Sequence, residues 1–219
     1  MAMRLHALQR RLETLYGVSV EHSVDDFLIT DAALARQLDT SAEAREVEEK
    51  LLVREHGDCL DISLYLDSDL LVRLGADDPT AALHEGNLAD FCTVLEGVSH
   101  FLYLTWNAAR GRSVRCVEME MQAEIDKFIA ILVLAAEQRS LAATGRLHAW
   151  LFDQPSYDAA LSGAELERYR DANRYAGKYC FYLEQRYWRR QPPSALLGEL
   201  RNFYRLDLQN KIRTIEKTN

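Results

Sequence analysis

Residues 87–138, NLADFCTVLEGVSHFLYLTWNAARGRSVRCVEMEMQAEIDKFIAILVLAAEQ, decide the fold. The first half carries a helical stripe of Leu88, Phe91, Leu95, Val98, Leu102 and Trp106. The second carries Val114, Val117, Met121, Ile125, Phe128 and Leu132 at the same period. Apolar residues recurring every three or four positions mark one buried face of a helix. The spacing predicts long helices over 87–109 and 113–138. Arg110-Gly111-Arg112 is too short a link for anything but antiparallel neighbours.

Outward from this pair, the chain predicts a helix-rich protein with one small β element. A third long helix is expected over 163–190, stopped by Gln191-Pro192-Pro193, with Ser194 capping a last pair of short helices. A short apolar helix, LHAWLF, falls within the looser stretch 139–162. At the other end, Leu5, Leu8, Leu12 and Leu15 make an amphipathic opening helix that closes near Gly17. DAALARQLD reads as a helix capped by Thr30 or Asp31, and residues 41–50 as polar and helix-prone. LDISLYL alternates Leu60, Ile62, Leu64 and Leu66 against Asp61, Ser63, Tyr65 and Asp67, the period of a strand with one buried face. LLVRE precedes it across His56-Gly57-Asp58, which predicts an antiparallel hairpin near 51–66, with Phe27–Thr30 available as a third strand. Ser68 is expected to cap a short helix ending at Gly75, and Pro79 to open another ending near Gly86. The fold class is therefore α+β, predominantly α-helical. An N-terminal helix and hairpin layer (1–75) packs on an antiparallel helical bundle (76–219), without a flexible linker between them.

The 219 residues are 48% hydrophobic and carry a formal charge of −8, so the chain can bury a core and is not basic overall. The longest apolar run, Phe128 to Ala136, is far shorter than the roughly 20 residues of a membrane span. No signal-peptide pattern opens the chain, and Cys59, Cys92, Cys116 and Cys180 lack metal or redox spacing. Reduced, buried thiols in a cytoplasmic protein are expected. Phosphate loops, nucleophile elbows and dinucleotide fingerprints are missing from the sequence, and His84-Glu85 lacks the second histidine of a zinc-protease helix.

Two constellations carry chemistry. On the central pair, Glu96 and His100 are spaced i, i+4, so a carboxylate can meet an imidazole, raise its pKa and fix its tautomer. Glu120 and Glu124 are like charges one turn apart and call for a neutralising group, for which Lys127 is placed. Antiparallel pairing sets His100 opposite 121–124, bringing Glu96, His100, Glu120 and Glu124 within reach of one another. They form either an acid–base or metal-carboxylate site, or a structural network that orients two helices. The Glu-x-x-His repeat of di-iron bundles is missing, and no metal or cofactor is expected. Gly97 lets a neighbour approach this face closely.

The second constellation is the carboxy-terminal quarter. Residues 165–219 hold 12 Lys/Arg against 7 Asp/Glu and 9 of the 20 aromatics, while the rest of the chain is strongly acidic. Tyr175, Tyr179, Tyr182, Arg186 and Trp188 suit a partner-binding surface, because Tyr, Trp and Arg dominate binding hot spots. The leading expectation is thus a cytoplasmic interaction module, an adaptor or regulatory subunit that meets another protein or its own copy. The alternative is a helical-bundle enzyme using the Glu/His group. Specific nucleic-acid binding is not expected, since the acidic body repels phosphate.

Overall fold

The computed structural model describes residues 5–40, 46–57, 59–139, 146–153, 155, 157, 161–188 and 190–218. In chain order come α1 (Leu5–Tyr16), a 3₁₀ turn (Val24–Phe27), β1 (Leu28–Ile29), α2 (Ala32–Leu38), β2 (Glu49–His56) and β3 (Cys59–Leu66). Then follow α3 (Ser68–Ala76), α4 (Glu85–Ala108), α5 (Cys116–Glu137), α6 (Leu147–Phe152), α7 (Gly163–Arg186), α8 (Pro193–Tyr204) and α9 (Leu208–Lys217). The protein is a predominantly helical α+β fold with a small three-stranded sheet.

Helix ends follow local chemistry. His84 and Asn87 cap α4 reciprocally, and Ser162 and Glu165 do the same for α7. Gly17 leaves α1 at φ +59°, and Gly111 turns the α4–α5 link at φ +65°, conformations in which a side chain would be strained. Asp67 rather than Ser68 caps α3, its carboxylate accepting from the amides of Asp69 and Leu70. The helix expected from Pro79 is a turn instead, closed by the Asp78 carboxylate accepting from the amide and hydroxyl of Thr80.

The hairpin forms as expected, with Leu51 opposite Leu64 and Glu55 opposite Leu60, and β1 adds to β3 in parallel. Two corrections apply to it. Residues 49 and 50 belong to β2 and not to a helix; residues 41–45 lie outside the described residues. The sheet is also not buried on one face only: Leu64 and Leu66 enter the main core, while Tyr65 and Leu52 pack with Ala35 of α2 on the opposite face. Leu60, at the hairpin end, stays 36% exposed.

One buried cluster runs through the molecule, joining Leu5, Leu8 and Leu12 of α1 and Leu64 and Leu66 of β3 to Phe91, Leu95, Phe128 and Leu132 of the central pair. Among the described residues, no helix is long and apolar enough to cross a membrane. Cys92 and Cys180 are buried free thiols, but Cys59 and Cys116 are exposed.

Candidate functional site

The central pair is amphipathic only at its ends. Along α5 the polar side chains Glu118, Glu120, Gln122, Asp126 and Lys127 are all buried, divided between two faces. Burying so many charges is unfavourable unless each is paired or used.

On one face, Lys127 Nζ lies 2.6 Å from Glu96 Oε2 and 2.8 Å from Glu124 Oε1. His100 stands behind them, its Nε2 3.3 Å from Glu120 Oε2 and its Nδ1 3.6 Å from Glu49 Oε1. Arg168 of α7 approaches the far side of Glu120, Nε to Oε1 3.7 Å. Glu49, Glu96, Glu120, Glu124 and Lys127 line one cavity of about 610 Å³, with Trp150, Tyr157 and Tyr169 opposite. The sequence thus places Glu96, His100, Glu120 and Glu124 together, and they do meet. The pairing differs: Glu96 goes to Lys127, while His100 reaches across to Glu120 and Glu49.

Glu49 and Arg168 are the members that sequence reasoning misses. Glu49 is the first residue of β2, and only the sheet's docking on α4 brings it here. Gly97 was the available signal. A Cβ there would stand 2.8 Å from Leu64 Cδ1 and 3.0 Å from Glu49 Cγ, so the strand's side chains are what approach this bare backbone.

The electrostatics separate the carboxyls. Burial would raise Glu96, but Lys127 and His100 outweigh it and hold Glu96 below the usual range. Burial raises Glu124, only partly offset by the same lysine. Burial also raises Glu49, with His100 opposing and Glu96 and Glu120 adding to the rise. For His100, burial disfavours the charge, yet the carboxylates of Glu120 and Glu49 prevail and push it well above the ordinary histidine value. Despite this proximity, Glu49 Oε1, His100 Nε2 and Arg168 Nε are buried without a hydrogen-bond partner. Each such atom costs about 1–3 kcal/mol where nothing offsets it, so the group is loosely gathered.

The other face of α5 is closed. Tyr16 and Ser99 hydroxyls donate to Asp126, the latter at 2.5 Å, and Gln122 Nε2 donates at 2.9 Å. Burial still raises Asp126 to about 6. Lys211 of α9 donates to Gln122 Oε1 at 2.8 Å and to Tyr103 Oη at 2.9 Å, and Glu118 takes Arg112 and Tyr103. This network fastens α1 and α9 to the central pair.

The partner surface expected on α7 is corrected at its centre. Tyr179 is fully buried, stacked on Phe203 at 3.8 Å between centroids, with its hydroxyl on Glu199. Tyr175, Tyr182 and Trp188 are half-buried against the main core, and Arg186 is exposed. The exposed large aromatic side chains among the described residues are Trp150 and Phe181, at 49% and 54%.

No family model matches this chain, and no curated protein or solved structure matches it.

Proposed function

We propose that the chain is an enzyme performing proton-transfer chemistry on a small polar molecule held in the cavity between α4, α5, α7 and the start of β2. One observation carries this: two carboxyls on a single buried lysine, Glu96 and Glu124, line the same cavity and are pushed in opposite directions. Environments that separate the pKa values of paired carboxyls assign acid and base roles. Glu124 is the general acid, since the proton is retained more readily there, and Glu96 stays ionised as base. Lys127 positions both. His100 and Glu120 form a second proton-handling pair behind the cavity wall. The carboxylates outnumber Lys127 and Arg168, and aromatic rings face them, so the site suits a neutral or cationic polar group and disfavours a bare anion.

Thermal-shift panels of polyols, amines, carboxylates and phosphate esters test the reading. A neutral or cationic class is expected to raise the melting temperature of wild type but not of Glu96→Gln or Glu124→Gln. Turnover of that class should fall about 10²–10⁴-fold in Glu124→Gln, the usual size of a general-acid effect. Absence of any class that distinguishes wild type from these variants would return the group to a structural role.

An interaction role is the second reading, supported by exposed Phe181 and Arg186 on α7 and no longer by Tyr179. Phe181→Ala and Arg186→Ala should then abolish self-association or partner capture at unchanged stability. In either reading the four free thiols favour a cytoplasmic setting.

A further inference from the structure

We propose that Glu49, Glu96 and His100 form the ligand set of a divalent first-row transition-metal ion, with Glu120 as the carboxylate that orients the histidine. The inference rests on the functional reading of this cavity and revises one role in it: Glu96, the base when the cavity holds no ion, becomes a ligand when the ion is bound.

One ligand atom from each of the three residues lies within 4.8 Å of the others. Donors around such an ion stand roughly 3–4 Å apart, so small side-chain rotations close the set. His100 supplies an independent observation. Only 6% exposed, it leaves its Nε2 buried without a hydrogen-bond partner. Its Nδ1 faces Glu49 Oε1 at 3.6 Å, and that oxygen is also buried without a hydrogen bond. Such a gap is too long for a directed hydrogen bond and suits an intervening ion. Nε2 faces Glu120 Oε2 at 3.3 Å, the placement of a carboxylate that fixes a ligating histidine from behind.

Charge agrees. Against Glu49, Glu96, Glu120 and Glu124 the cavity group sets Lys127 and Arg168; the proton that the carboxylates favour on His100 leaves when an ion binds, and two negative charges then remain. A divalent ion balances them. Two carboxylates and an imidazole favour manganese, iron or zinc over magnesium or calcium, whose sites are built from oxygen alone. Glu49 and Glu96 line the cavity, so the ion has an entry path and room for a water or substrate oxygen. Zinc in this position would lower the pKa of a coordinated water toward neutrality.

The test uses full-length protein stripped with chelator, titrated calorimetrically with Mn²⁺, Zn²⁺, Mg²⁺ and Ca²⁺. Wild type is expected to take one Mn²⁺ or Zn²⁺ per chain and to bind Mg²⁺ and Ca²⁺ at least 100-fold more weakly. Glu49→Gln and His100→Gln should each weaken Mn²⁺ at least 100-fold, Glu120→Gln by about 10–100-fold, and Glu124→Gln by less than 3-fold. Should a ligand variant not fold, pulsed electron paramagnetic resonance of Mn²⁺-loaded wild type reads the same point, since an imidazole ligand gives nitrogen coupling. No stoichiometric Mn²⁺ or Zn²⁺ binding, binding unaffected by Glu49→Gln and His100→Gln, or a Mn²⁺ signal without nitrogen coupling overturns the assignment. A cavity ligand found by thermal shift in protein that takes up no Mn²⁺ or Zn²⁺ would overturn this inference while leaving the acid–base reading in place.

Discussion

Lys211→Met tests how far the buried polar core constrains the fold. Lys211 is fully buried, and burial drives its pKa down to about 7, with Glu118 opposing. The ring of Tyr103, 4.4 Å from Nζ, pulls the other way by favouring the cation. An unfolded lysine titrates near pH ~10.4. Above that pH neither state holds the proton. As pH falls from ~10.4 to about 7, the unfolded chain binds a proton that the folded chain refuses, so stability falls by about 1.4 kcal/mol per pH unit. Below about 7 both states are protonated and the loss levels at about 4–5 kcal/mol. Methionine removes that titration along with two hydrogen bonds whose loss does not vary over this range. The unfolding free energy of Lys211→Met minus that of wild type should therefore be about 3 kcal/mol larger at pH ~7 than at pH ~9.5. Taking the difference cancels the buried tyrosines and thiols, which titrate in both proteins. Urea unfolding followed by circular dichroism at the two pH values measures it. A difference that changes by less than about 0.5 kcal/mol would show that Lys211 keeps its proton and that the aromatic cage outweighs burial.

Three further outcomes follow from particular contacts. Tyr179→Ala should cost about 3–5 kcal/mol, as for a buried aromatic, and Phe181→Ala within about 0.5 kcal/mol; chemical denaturation that ranks them in reverse would restore Tyr179 to the surface. Tyr179→Phe should lose only about 0.5–1.5 kcal/mol, the worth of its bond to Glu199, by the same assay. Gly97→Ala should destabilise by about 1–2 kcal/mol, because crowding Leu64 and Glu49 outweighs the roughly 1 kcal/mol gain in helix propensity. A stabilised Gly97→Ala would place Glu49 elsewhere.

What the sequence made legible was local or periodic. The three long helices, the hairpin and the antiparallel central pair follow from the spacing of Leu, Val and Phe and from short links. Periodicity also placed Glu96, His100, Glu120 and Glu124 on facing helices. It could not supply Glu49, which reaches the site only through sheet docking, and it read residues 41–50 as helix because Glu and Ala favour one. Tyr179 was misread because tyrosine beside arginine looks like surface, whereas α8 brings Phe203 and Glu199 over it. Glu118, Gln122 and Asp126 carry no signal of their own in the sequence, because their partners Tyr16, Arg112 and Lys211 come from elsewhere in the chain.

Whether the charged group in the cavity is built for chemistry or for stability is tested most directly by the unfolding free energy of Glu49→Gln at neutral pH, in metal-stripped protein. Glu49 has its pKa raised chiefly by burial, with Glu96 and Glu120 adding to the rise. A carboxyl whose folded pKa exceeds its unfolded value of about 4.3 favours folding when protonated and loses that contribution as pH rises through the folded value. Wherever it is ionised, the group is therefore a burden that the fold carries for its function. Removing the charge should leave stability unchanged or raise it by up to about 1 kcal/mol. A loss of about 3–5 kcal/mol, the usual effect of breaking a buried ion pair, would contradict the account and make the Glu49–His100 contact part of the scaffold.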